Sequence, residues 1–133
     1  MKIIQDFISP KKEYQQARIA HWNRVALKHD RQLGLGNWYH RRLEEVYRFL
    51  VGPGYRVLEI GCGTGNLLNL LKPSQGIGID FSPEMLQRAR KQYPHLEFVE
   101  ADAHDLTSLS GPFDVIIFSD IVNDLWDVQG AFE

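Results

Sequence analysis

The chain has 133 residues, with 44% hydrophobic and 24% charged side chains and a formal net charge of -2. Those values describe one small globular domain and exclude a disordered tail or fibre. They also give no basic surface for nucleic acid or for an anionic membrane.

The lone cysteine, Cys62, excludes an internal disulfide and fits a reducing cytoplasm, where we expect the protein to reside. His21, His29, His40, His95 and His104 show no ligand spacing, so no metal is expected. No apolar run reaches the ~20 residues needed to cross a bilayer. The start, Met1 to Asp6, lacks the apolar core of a signal peptide.

In chain order, larger side chains recur at Tyr14, Ala17, Trp22, Val25 and Ala26, a helical period that predicts a helix over Tyr14 to His29. Gly34-Leu35-Gly36 breaks it, and Asn37 is expected to cap a second helix. The apolar stripe of that helix is Tyr39, Leu43, Val46 and Leu50, opposite a charged face, and Gly52-Pro53-Gly54 stops it.

From Tyr55 the rhythm changes. Val57 to Ile60, Gly76 to Ile79, Leu96 to Val99 and Val115 to Phe118 read as short apolar strands. Leu67 to Leu71 reads as a helix ended by Pro73. Ser82-Pro83-Glu84 starts another, with a Ser cap, a proline in the first turn and an acid at the positive end of the dipole. This helix should bury Met85, Leu86, Ala89 and Tyr93 and close at Pro94. Apolar strands alternating with helices predict an α/β fold: a doubly wound parallel sheet, covered on both faces and built from right-handed βαβ units. A last helix opens near Asn123 and reaches Glu133 with no strand after it, which predicts a sheet truncated to four strands.

The chemistry concentrates where strands end. Glu59-Ile60-Gly61-Cys62-Gly63-Thr64-Gly65 closes the first strand with a G-x-G-x-G turn, which bends tightly and admits a ligand against the backbone. Asn66 stands where a dinucleotide fingerprint has its third glycine, which disfavours a pyrophosphate ligand. Asp80 ends the second strand, where a carboxylate accepts from ribose hydroxyls. Asp102 ends the third, where a carboxylate can accept from an exocyclic adenine amine. Either acid alone also reads as a helix cap or a turn residue. In a doubly wound sheet the strand ends all open onto one crevice.

Three runs carry a resemblance: Val57 to Gly65, Gly78-Ile79-Asp80-Phe81-Ser82-Pro83-Glu84-Met85-Leu86, and Glu100-Ala101-Asp102-Ala103. Together they resemble the class I S-adenosylmethionine-dependent methyltransferases, most narrowly the small-molecule type that includes the ubiquinone and menaquinone enzymes. The likeness covers about residues 20 to 126. It implies a Rossmann-like methyltransferase fold with strands in the order 3-2-1-4, a helical cap over residues 1–54 and the first half of the cofactor domain over 55–133. The cofactor implied is S-adenosyl-L-methionine. The resemblance implies that Glu59 orients the loop or the methionine amine, and that Gly61, Cys62, Gly63 and Gly65 lie along the methionine moiety. It assigns the ribose to Asp80 and the base to Asp102 and Ala103, with Phe81 and Met85 as an apolar wall.

The segment Trp22 to Asp30 is similar to the family's aromatic-x-x-x-Ala-x-x-Tyr-Asp helix, with His29 in place of Tyr. Trp22 reads either as part of a lid on the cofactor or as a core aromatic. Phe118 to Asp124, beginning with Ser119, lies where the family keeps residues near the transferred methyl. Asp120, Asn123 and Asp124 read equally as caps of the last helix. The segment is not the Asp/Asn-Pro-Pro-Tyr of amino-group methyltransferases, which weakens a DNA-methylating reading. The resemblance implies a small-molecule acceptor, no nucleic-acid or membrane partner, and a catalytic base not assigned by sequence. The alternative is a non-catalytic S-adenosylmethionine-binding or interaction domain. With four strands, the last becomes an apolar edge open to self-association.

Overall fold

The computed structural model describes residues 9–28 and 36–133. Two helices come first: α1, Pro10–Lys28, and α2, Gly36–Leu50. The order is then β1 (Arg56–Ile60), α3 (Asn66–Leu70), β2 (Gln75–Asp80), α4 (Pro83–Gln92), β3 (Glu97–Glu100), β4 (Val115–Phe118) and α5 (Val128–Phe132). A single 3-10 turn, Val122–Asp124, precedes α5.

Helix α1 begins four residues before its first apolar marker, Tyr14, because Ser9 and Pro10 start it. The Ser9 hydroxyl accepts from Lys12 N–H, and a proline in the first helical position loses no hydrogen bond. This is the same start signal as at Ser82-Pro83. His29, Gly34 and Leu35 lie outside the described residues. Gly36 already takes helical backbone, so Asn37 sits inside α2 rather than capping it.

The expected stripe of α2 is rotated. Tyr39, Val46 and Leu50 are exposed, while the neighbouring line Leu43, Tyr47 and Val51 turns inward. Tyr47 and Val51 belong to the core cluster under α3 and α4, and burying them fixes which side of α2 faces the domain.

The four strands are all parallel, in the order β3-β2-β1-β4. Both faces of the inner strands are buried, for different reasons. On one face Val57, Leu68, Leu86, Ala89 and Phe98 pack with α3 and α4. On the other, Leu58, Ile60, Ile77 and Ile79 are covered by Leu106, Leu109 and Phe113 of the β3–β4 connection. That connection holds no helix, contrary to the strict alternation the sequence implied. Its apolar side chains do the covering instead.

Helix α4 obeys its start signal. The Ser82 hydroxyl accepts from Met85 N–H at 3.2 Å, and Met85, Leu86 and Ala89 are buried. Tyr93 is the C-terminal cap and only half-buried. The last helix opens later than Asn123: Asp127 is its cap, accepting from Gly130 N–H. Asp120 and Asp124 are drawn away to other partners. Among the described residues, β4 pairs with β1 alone, and Ile116 stays 53% exposed.

Candidate functional site

The carboxyl ends of β1, β2 and β3 lie side by side, so the loop after each faces the same crevice. The Gly61 and Cys62 N–H groups both donate to the Ile79 carbonyl, at 2.8 and 2.9 Å, which docks the glycine loop on the end of β2. Asp80 then ties the loop to α4. Its Oδ2 accepts from Gly63 N–H and its Oδ1 from Ser82 N–H, each at 2.9 Å. Asp80 is 8% exposed; burial raises its pKa, and the amides of Ser82 and Gly63 counteract that only in part. The Phe81 amide also acts on this carboxylate, which keeps acceptor capacity for a ligand hydroxyl.

Two glycines of the loop have positive φ and different surroundings. At Gly61 (φ +75°) a Cβ would lie 2.6 Å from Ile121 Cδ1, so the side chain following β4 rests on the bare backbone. At Gly63 (φ +54°) a Cβ would meet nothing within 4 Å. The backbone there is open to an approaching ligand.

Glu59 lies at the foot of the loop, 3% exposed. Gly65, the cap position of α3, has no side chain, and the Glu59 carboxyl takes the Leu68 N–H instead. Its Oε2 has no partner. Burial pushes the Glu59 pKa up to about 8, with the Leu68 amide opposing and the Asp80 charge adding to the rise. Cys62 is buried, and burial pushes its thiol well up, which keeps it in the unreactive form.

Asp102 is held by two other segments. Its Oδ2 accepts from the Gln15 amide of α1, and its Oδ1 from His104 N–H at 3.0 Å and His104 Nδ1 at 2.6 Å. Burial alone would raise its pKa, but these donors outweigh it and hold the carboxyl below its usual range.

Helix α1 spans the mouth of the crevice. On the β3 side it brings Gln15 to Asp102; over α4, Asn23 Oδ1 accepts from the Ser82 hydroxyl at 2.6 Å. On the β4 side Asp124 pairs with Arg18 and accepts from Trp22 Nε1–H at 3.0 Å, and its backbone carbonyl takes the Tyr14 hydroxyl. Tyr14 also packs on Trp126, with ring centroids 5.5 Å apart. Asp120 takes the Tyr39 hydroxyl at 2.8 Å.

The cleft under α1 measures about 400 Å³ including its open mouth. Of the residues singled out in sequence, Gly61, Asp80, Phe81, Asp102, Ala103 and Asp124 line it. The others stand off the cleft. Glu59, Cys62 and Met85 are buried behind it, and Gly65 is packed on Phe98. Gly63 is bonded to Asp80, Trp22 is turned to Asp124, and Ser119 follows β4, half-buried. The sequence reading passed over Gln15, His104 and Trp126, which also line the cleft. None of them belongs to a motif; chain folding alone brings them there.

A nucleoside fits this donor and acceptor set. Ile60 and Ile79 supply an apolar floor, and free acceptor positions remain on Asp80 and Asp102. Among the described residues, no three His, Cys, Asp or Glu gather as a metal site. No helix there is long and apolar enough to cross a membrane.

Residues 57–133 match a family described as a methyltransferase domain. The phthiotriol/phenolphthiotriol dimycocerosates methyltransferase of Mycobacterium leprae (strain TN) is 37% identical over 87 residues, covering 61% of this chain and 31% of that protein. The ubiquinone/menaquinone biosynthesis C-methyltransferase of Campylobacter jejuni (strain RM1221) is 28% identical over 132 residues, covering 88% and 56%. The chain thus spans about a third to a little over half of these relatives' lengths. In fold it is similar to the magnesium protoporphyrin IX methyltransferase of Synechocystis PCC 6803, with a TM-score of 0.67 at 20% identity over 89% of this chain and 66% of that one. The chain belongs to the methyltransferase-domain family, and its four-stranded parallel sheet has the Rossmann-like topology of the class I S-adenosylmethionine-dependent methyltransferases.

Proposed function

We propose that this chain is the cofactor-binding part of an S-adenosylmethionine-dependent methyltransferase acting on a small molecule. The observation that carries the reading is the convergence of the glycine loop, Asp80 and Asp102 on one cleft, with acceptor positions left on both acids. The cofactor, when bound, supplies an electrophilic methyl on a positively charged sulfur. The chain's residues bind and orient it.

In this reading Asp80 accepts from the ribose hydroxyls, and Asp102 with Ala103 borders the base. The backbone of Gly61, Cys62, Gly63 and Gly65 follows the methionine moiety, with Glu59 setting the loop from beneath. Phe81 faces the base as an apolar wall and Met85 backs it. Ser119 opens the segment that comes nearest the methyl. Trp22 acts at one remove, holding Asp124 and so holding α1 down. Residues 1–54 form the helical cap and 55–133 the cofactor domain. We place the protein in the cytoplasm, in keeping with its one buried thiol. Relatives named for ubiquinone/menaquinone biosynthesis and for phthiotriol dimycocerosates support a small-molecule acceptor.

Titration calorimetry with S-adenosylhomocysteine and with NADH tests the reading. The first should bind and the second should not. Asp80→Ala removes charge-assisted bonds and should weaken the first by roughly tenfold to several hundredfold. Binding of NADH alone, or an unchanged dissociation constant in Asp80→Ala, overturns it.

A further inference from the structure

His104 has no part in the reading above, yet it controls the carboxylate on which base recognition depends. A carboxylate offers about four acceptor positions. His104 fills both positions on Asp102 Oδ1, one with its backbone N–H and one with ring Nδ1. Gln15 takes one on Oδ2, leaving a single free position. Two bonds to one oxygen and one to the other fix the plane of the group as well as its place.

The far nitrogen of the ring is anchored too. His104 Nε2 lies 3.0 Å from the Asp127 carbonyl oxygen and 3.2 Å from the Asp127 nitrogen. A neutral ring with its proton on Nδ1 accepts the Asp127 N–H, and an imidazolium donates to the Asp127 carbonyl. In both states Nδ1–H stays on Asp102. The ring is therefore pinned at both ends, and the carboxylate with it.

We propose that His104 is a positioning residue for base recognition: it holds Asp102 so that its one free acceptor position meets the exocyclic amine of an adenine. The proposal rests on the reading of Asp102 as the base-side residue. An inosine carries a carbonyl oxygen in place of that amine, so the free acceptor position meets another acceptor, and a carboxylate pinned by His104 does not turn to the neighbouring N1–H; the inosine is rejected.

The test is the ratio of dissociation constants for S-inosylhomocysteine and S-adenosylhomocysteine, measured by calorimetry. The unaltered chain should prefer the adenosyl form by at least about tenfold. His104→Ala should lose most of that preference. His104→Asn puts an amide donor where Nδ1 was and should restore it. His104→Gln puts the amide where Nε2 was, keeps the link to Asp127, and should not. Rescue by Gln but not Asn would overturn the proposal and make His104 a tether for α5. So would an unchanged ratio in His104→Ala alongside a collapsed ratio in Asp102→Ala, which leaves the reading of Asp102 intact. An unchanged ratio in Asp102→Ala removes that reading itself.

Discussion

Arg18, in the middle of α1, forms an ion pair with Asp124, in the turn that follows β4. The Asp124 side chain is 7% exposed and has the Trp22 indole as its other side-chain donor. The pair closes the N-terminal helix over the strand ends.

Arg18→Ala should therefore destabilise the chain by about 1–3 kcal/mol, because a buried carboxylate keeps only one donor. Replacing Asp124 by Asn as well should recover part of the loss, since no charge is then stranded. A urea-denaturation double-mutant cycle measures this. A shift below about 0.5 kcal/mol in the single variant would show that the clasp adds nothing to stability.

Glu59 makes stability depend on pH. Its pKa in the fold is about 8, raised first by burial, against a usual value of 4.5. The folded chain thus holds a proton that the unfolded chain releases. Its contribution is fully present below about 4.5 and is lost as pH rises toward 8, at up to about 1.4 kcal/mol per pH unit. Asp80, also raised, acts in the same direction. Glu59→Gln should flatten the dependence between pH 5 and 8 and leave the share of Asp80. Parallel curves for the two proteins would contradict the assignment.

Alanine at two loop glycines should separate folding from binding. Gly61→Ala combines a positive φ with a methyl 2.6 Å from Ile121 and should cost about 2–4 kcal/mol. Gly63→Ala meets open space, so its stability cost should stay near the roughly 1–2 kcal/mol of the left-handed backbone alone. Its methyl would project where the methionine moiety is proposed to lie. S-adenosylhomocysteine binding should fall by at least about tenfold in a Gly63→Ala protein that still unfolds cooperatively. Normal affinity in that protein would place the ligand elsewhere.

The side of β4 turned away from β1 is proposed to mediate self-association. Val115 to Phe118 is a short apolar strand that, among the described residues, pairs with β1 alone, with Ile116 half exposed. Open apolar edges pair with other strands unless a charge interrupts them. Light scattering should show a mass that grows with concentration, and Ile116→Lys should return it to the monomer. A constant monomeric mass for the unaltered chain would refute this.

Much of the frame was legible in sequence, because it rests on interactions within a few residues. Apolar runs marked the four strands to within a residue or so, their parallel direction followed from strands separated by crossovers, and their order came from the family resemblance. Ser82-Pro83 announced α4 through its own cap, and the glycines after Ile60 and the acids ending β2 and β3 marked where the loops would meet. Ser9-Pro10 carries the same start signal, but no apolar period begins there to mark a helix. Tertiary structure alone decided which partners those groups found. Gln15 reaches Asp102 across 87 residues of sequence and Trp22 reaches Asp124 across 102. Neither pairing leaves a local mark, since each depends on which face of α1 meets the sheet once the core has closed. The same holds for α2, where two apolar lines competed and the cluster around Leu68 and Ile117 took Tyr47 and Val51. Periodicity identifies a helix and its candidate faces, but the shape of the space left by the rest of the chain selects the face that is buried.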